Sequence, residues 1–209
     1  MISFILPIYK QEHVLEKSVL WLDDFIRSHL NEQYEILICN DGSPDNCLEI
    51  AEKLARSIEH VSSIGYPKNK GKGFAVKYSG MRAKGEYLIY MDCDLFEDAN
   101  KAYLEQMIHL IKRHDVVVAS RFHRDANTKR KWHRKIVSKC YRLLVSLFFR
   151  SFPVTDPDVG FKGFKKDVFQ HVILVTNLNG HSWDLQFLVN AVSNGYDVYE
   201  FPFAYKEVY

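Results

Sequence analysis

Gly85-Glu86-Tyr87-Leu88-Ile89-Tyr90-Met91-Asp92-Cys93-Asp94 reads as a turn, a buried strand and a pair of carboxylates, in that order. Both acids arrive at the C-terminal end of the strand, where open α/β sheets place their ligands. Two carboxylates one residue apart at such an end can share a hard divalent cation, whose remaining positions are filled by water and substrate phosphates. A lone Asp-x-Asp in a loop is ordinarily a solvated turn. The hydrophobic strand before it and the turns upstream favour a metal site here. Alternate residues of an extended segment point apart, so the Cys93 thiol is expected to face away from the two acids.

Working outward, apolar runs at 2–8, 34–40, about 61–65, 86–91 and 115–119 alternate with amphipathic stretches at 12–30, after Asp45, 72–84 and 99–113. Val14, Leu15, Val19, Leu22 and Ile26 form one helical stripe, and Leu48, Ile50, Ala51, Leu54 and Ile58 another. Strand–helix alternation of this kind predicts parallel βαβ units in a doubly wound α/β sheet, mostly parallel and flanked by helices. Residues 156–209 add strands at 159–164 and 197–203 and a helix near 182–194, which complete the sheet or cover its active edge.

The 209 residues suffice for one domain, 1–209, with a full core. Apolar residues at 47% and charged residues at 26% are ordinary for a soluble protein, and a net charge of +2 names no partner. A nucleic-acid partner is not expected. Cys39, Cys47, Cys93 and Cys140 lack CxxC spacing and suit a reducing compartment. The apolar start before Pro7 is too short for a secretory signal, and no apolar run approaches the roughly 18 residues of a membrane span. A cytoplasmic protein, soluble or peripheral at the cytoplasmic face of a membrane, is expected. One stretch is uneven in charge. From Ala126 to Thr155 there are eight Lys/Arg and no Asp or Glu, with Trp132, Ile136, Cys140, Leu143 and Leu147 at helical spacing. It reads equally as a surface helix packed on the domain or as a basic amphipathic helix that meets an anionic membrane surface or phosphates.

The turns after the strands converge on one crevice: Pro7-Ile8-Tyr9-Lys10-Gln11-Glu12, Asn40-Asp41-Gly42-Ser43-Pro44-Asp45, Asp92-Cys93-Asp94 and Ser120-Arg121, with Asn69-Lys70-Gly71-Lys72-Gly73 opening a helix between them. Backbone amides, carboxylates, a metal and a guanidinium are what a nucleoside diphosphate requires. On these elements the sequence resembles the inverting family 2 glycosyltransferases of the GT-A, Rossmann-like fold. Ser120-Arg121, the basic stretch, Asp156-Pro157-Asp158-Val159-Gly160-Phe161-Lys162 and Trp183-Asp184 are similar to the polyprenyl-phosphate branch, the dolichyl-phosphate mannose synthases and glucosyltransferases.

The resemblance implies a nucleotide-sugar-binding half, 1–120, and an acceptor-binding half, 121–209. It implies that Pro7, Tyr9, Glu12 and Asp41 cradle the nucleoside, that Lys72 assists the phosphates, that Asp92 meets the ribose or the metal, and that Asp94 ligates Mg²⁺ or Mn²⁺ directly. Arg121, Arg130 and Arg134 are the candidates for the phosphate of a polyprenyl-phosphate acceptor, since a planar guanidinium suits bidentate phosphate contact. Pro7 also reads as a residue ending its strand, and Asp156 as a tie for the loop that follows it. Asn40 and Gln186 depart from the family pattern, in which acids usually stand. The first bears on base recognition, the second on a metal or acceptor contact.

A lipid monophosphate is already largely ionised near neutral pH, because its second pKa is about 6, and needs no strong base. A sugar hydroxyl would need one, and Asp184 is then the candidate. The alternatives are therefore a family 2 transferase for glycan hydroxyls and a non-catalytic nucleotide-sugar-binding module. A nucleotidyltransferase is disfavoured by Pro7-Ile8-Tyr9-Lys10, where its glycine-rich loop would stand.

Overall fold

The computed structural model describes residues 1–96, 100–123, 126, 152–180 and 182–204. The chain begins with β1 (Ile2–Ile8), α1 (Glu12–His29), β2 (Tyr34–Asp41), α2 (Cys47–Ser57), β3 (Val61–Tyr66) and α3 (Lys72–Gly80). It continues through β4 (Tyr87–Met91), a 3-10 turn (Cys93–Leu95), α4 (Lys101–Ile111) and β5 (Val116–Ser120). Beyond these lie β6 (Phe161–Lys165), α5 (Lys166–Leu174), α6 (Trp183–Ser193) and β7 (Val198–Pro202). The basic stretch with Arg130 and Arg134 lies outside the described residues. Among the described residues no helix is long and apolar enough to cross a membrane.

The strands form one sheet in the order β3-β2-β1-β4-β6-β5-β7. β1 lies parallel between β2 and β4, β3 is parallel to β2, and β7 is parallel to β5. Near-continuous apolar strands such as Ile2–Ile8 are what a sheet buried on both faces demands. β6 is inserted between β4 and β5, antiparallel to both. The division at residue 120 is thus one of sequence and not of the sheet, since β6 from the second half sits inside the first. Pro7 does not end β1. It pairs with Cys39, beyond Ile5, the last residue paired with β4, so its missing N–H falls where β1 is flanked on one side only.

Glycines set the closeness of the layers. A Cβ on Gly73 would lie 2.4 Å from the Trp183 ring, and one on Gly80 would lie 2.3 Å from Phe169, so α3 presses directly on α6 and α5. On the other face of β6, a Cβ on Gly163 would meet Met107 Sδ of α4 at 2.8 Å. Tyr90, Trp183, Phe187, Phe164 and Phe169 form a continuous set of ring contacts beneath the crevice.

Asp115, just before β5, ties three strands at their far end. Its Oδ1 accepts from Lys165 Nζ at 2.9 Å and its Oδ2 from the Asp197 amide at 3.1 Å. Burial opposes its charge, but these bonds outweigh it and hold the carboxyl below the usual carboxylate range. A depressed folded-state pKa contributes stability above the unfolded pKa of about 3.9, and that stability is lost as pH falls through the folded value. Asp115→Asn is therefore expected to flatten the acid limb of a stability-against-pH curve while leaving its alkaline limb in place. Unfolding midpoints from pH 2 to 7 check this, and an unchanged acid limb would count against it.

Candidate active site

The C-terminal ends of β1, β2 and β4 enclose a cavity of about 410 Å³ whose lining includes Pro7, Tyr9, Asp41, Lys72, Asp92 and Asp94. Sequence reasoning placed all six at one crevice, and the fold brings them together.

Asp92 is fixed from every side. Its amide donates to Gly160 O at 2.8 Å, which joins the end of β4 to the approach to β6. Its Oδ2 accepts from Lys72 Nζ at 2.8 Å, and its Oδ1 from the Tyr90 hydroxyl at 3.2 Å. A Cβ on Gly160 would lie 1.8 Å from Oδ2, so only glycine leaves room for this carboxylate. Asp94 follows at the exposed lip. The turn between them is held by Ser18 of α1, whose hydroxyl donates to Cys93 O at 2.6 Å. The Cys93 thiol is buried, and burial followed by the charges of Asp92 and Asp94 pushes it far above its ordinary pKa.

Asp41 performs a task that sequence reasoning missed. It is 3% exposed, and its carboxylate accepts from the Lys70 amide at 2.7 Å, the Gly71 amide at 3.1 Å and Asn69 Nδ2 at 2.9 Å. It clamps the 69–71 loop over the sheet. Gly71, at φ +91°, then opens α3, and a Cβ there would meet Asn179 O at 2.7 Å. Glu12 does not line the cavity. Its carboxylate accepts from the Asn46 amide at 3.0 Å, while Asp45 accepts from the Glu12 amide at 3.3 Å, an exchange between the starts of α1 and α2. Tyr9 is 40% exposed on the cavity rim, beside Lys10.

Arg121 stands beside the cavity and not in its lining. Its Nε and one terminal nitrogen reach the two oxygens of Asp156 at 2.7 and 2.8 Å, and its amide adds a bond of 2.9 Å. Asp156 is 1% exposed. Glu200 of β7 holds this segment in turn, accepting from the Thr155 amide at 2.7 Å and the Asp156 amide at 3.1 Å. Asp156 thus anchors Arg121 as well as the loop expected of it. Removing one partner of a buried pair leaves an uncompensated charge, which costs about 3 kcal/mol or more. Asp156→Ala is expected to destabilise the fold by about that much, read from chemical denaturation. A stability within experimental error of the parent would show that the pair is not held as described.

Asp184 lies below the cavity, 3% exposed, with Oδ1 2.5 Å from Lys162 Nζ. Lys162 is fully buried on β6 and also donates to Val159 O. Burial pushes Asp184 up and Lys162 down from their ordinary values. Lys162 also lies 5.7 Å from the Tyr90 ring, so it supports both the residue that holds Asp92 and the loop that carries Gly160. A lysine inside the apolar run Val159–Phe164, with an acid at 184 to meet it, was the signal available in the sequence.

A family model described as Glycosyl transferase family 2 matches residues 3–173. The chain belongs to that family. This family 2 chain is 30% identical over 204 residues to glycosyltransferase AglD of Haloferax volcanii, covering 96% of itself but 32% of that protein. It is 27% identical over 233 residues to the dolichyl-phosphate beta-glucosyltransferase of Saccharomyces cerevisiae, covering 99% of itself and 67% of that protein. Family 2 resemblance thus extends over the whole chain, while the chain spans only part of these relatives. Among solved structures it is similar to mannosyl-3-phosphoglycerate synthase of Rubrobacter xylanophilus, with a TM-score of 0.75, 14% identity and coverage of 99% and 66%. Glucosyl-3-phosphoglycerate synthase of Mycobacterium tuberculosis gives a TM-score of 0.72 at 16% identity, covering 99% and 73%. At these identities the likeness is one of fold, the GT-A Rossmann-like arrangement.

Proposed function

We propose that this protein transfers a hexose, with inversion, from a nucleotide sugar of the UDP-glucose or GDP-mannose type to a polyprenyl phosphate such as dolichyl phosphate. The reaction uses Mg²⁺ or Mn²⁺ at the cytoplasmic face of a membrane. The observation that carries this reading is the carboxylate Asp92, held by three bonds and a glycine cradle at the mouth of the cavity, with Asp94 beside it. Among the described residues no group of three or more His, Cys, Asp or Glu could hold a metal alone. A pair of carboxylates suits a hard cation that keeps positions for phosphate oxygens and water. Asp92 and Asp94 would hold it, and it would neutralise the departing diphosphate. A solved neighbour from M. tuberculosis was crystallised in complex with Mn²⁺, UDP and phosphoglyceric acid, in accord with this choice.

Pro7 and Tyr9 wall the donor's nucleoside end, and the loop clamped by Asp41 presents Lys72 toward its phosphates. An acceptor oxygen attacks the anomeric carbon from the face opposite the leaving group. The bond from that carbon to the diphosphate oxygen breaks, and its electron pair leaves with the diphosphate. Positioning and charge neutralisation supply the catalysis. Asp184, the base expected for a hydroxyl acceptor, is committed to Lys162 and closed off from solvent, which favours an acceptor that is already ionised. Among the described residues Arg121 spends two of its five side-chain donors on Asp156, and the others would serve such a phosphate. The lipid is favoured by the relatives named for dolichyl phosphate and by the run of basic residues from 126 to 155, Arg130 and Arg134 among them.

The test is release of UDP or GDP from a panel of nucleotide sugars with Mg²⁺ or Mn²⁺, with and without a short polyprenyl phosphate. Release that requires both metal and lipid phosphate is expected. Equal release without lipid would replace the acceptor, and no release from any donor would leave a binding module.

A further inference from the structure

The carboxylate assigned to a divalent cation already holds a cation belonging to the chain. Lys72 Nζ lies 2.8 Å from Asp92 Oδ2 and 5.2 Å from the Tyr90 ring. Lys72 also lines the same cavity as Asp92 and Asp94.

An ammonium and a divalent cation cannot both sit against one carboxylate oxygen in a partly buried site, because their repulsion at contact distance is too strong there. A metal that takes Oδ2 therefore requires the lysine to move. Lys72 is the first residue of α3, and its ammonium is carried on a flexible four-carbon stem. A diphosphate entering the cavity brings the new negative partner that such a move requires. Metal without diphosphate brings none, so it must displace the lysine with no compensation.

We propose that Lys72 is a resident stand-in for the divalent cation, balancing Asp92 until the donor arrives, then ceding that carboxylate to the metal and passing to the diphosphate. The inference rests on the reading of Asp92 and Asp94 as the metal site. Its consequence is order: metal alone binds weakly, and metal and nucleoside diphosphate strengthen each other through the freed lysine.

The test is Mn²⁺ binding followed by the electron paramagnetic resonance of the free ion, without nucleotide and then with UDP or GDP. The proteins are the parent, Lys72→Met, Lys72→Gln and Asp94→Asn. Both uncharged Lys72 variants are expected to bind Mn²⁺ alone about tenfold more tightly than the parent, a coupling of ordinary size between two ligands of one site. They are also expected to lose most of the gain that nucleotide gives. Mn²⁺ affinity without nucleotide that is unchanged or weaker in both Lys72 variants overturns the stand-in role. If in that case the parent still binds Mn²⁺ with nucleotide and Asp94→Asn does not, the metal site stands and only the lysine's role falls. If no protein binds Mn²⁺ with either nucleotide, the metal site falls and the inference with it.

Discussion

Gly160→Ala is expected to lower the transfer rate by about a hundredfold or more while the protein stays folded. The added methyl would stand 1.8 Å from Asp92 Oδ2, a distance no non-bonded pair of heavy atoms can hold. Either the carboxylate rotates away from Lys72 and Tyr90, or the Gly160 backbone moves and loses its 2.8 Å bond from the Asp92 amide. Both outcomes displace the residue on which the proposed metal site depends, and displacement by about 1 Å commonly costs a hundredfold in rate. The cost in stability is that of local overpacking, about 1–3 kcal/mol, which a domain with this core tolerates. Rate at saturating donor, Mn²⁺ affinity and melting temperature, measured together, separate the two effects. A variant with full activity would mean that Asp92 has more room than the structure gives it.

The second large effect concerns stability. Asp184→Ala strands the Lys162 ammonium in the core with Val159 O as its remaining hydrogen-bond partner among the described residues, and losing one partner of a buried ion pair costs about 3–5 kcal/mol. The pair Lys162→Met with Asp184→Leu removes both charges and fills the space, and buried pairs replaced in this way are commonly neutral or better for stability. The double variant is therefore expected to recover most of the loss in urea denaturation. It is not expected to recover full activity, because Lys162 also supports Val159 beside the Gly160 cradle and lies under Tyr90. If the double variant were as unstable as Asp184→Ala, packing and not charge would account for the loss.

The site's outline was legible because strand and helix alternation places loop residues at known ends of a sheet. Pro7, Asp41, Lys72, Asp92 and Asp94 reach one cavity for that reason alone. What each residue does there depends on partners distant in sequence, which periodicity does not record. Asp41 reads as a ligand for the nucleoside, and its additional task as a clamp is invisible in sequence, because only folding brings the 69–71 amides over it. Glu12 reads the same way and is engaged by Asn46. The helix Lys166–Leu174 escaped notice because it follows β6 with no intervening turn residue, although Val168, Phe169, Val172 and Ile173 carry a helical stripe. The place of β6 between β4 and β5 was likewise illegible, since local pattern gives elements but not their neighbours.

That insertion also sets an order of assembly. β1 to β4 can pair as the chain emerges, each strand adding beside one already made. β5 cannot join them, because its place is held open for a strand synthesised much later. Until Phe161–Lys165 arrives, β4 keeps an unpaired edge along Tyr87–Met91, a template for any passing strand. The closing strand follows directly on Gly160, whose carbonyl receives the Asp92 amide. The nascent protein is therefore most exposed to mispairing at the edge that leads to Asp92, and one late strand both seals that edge and fixes this carboxylate in place.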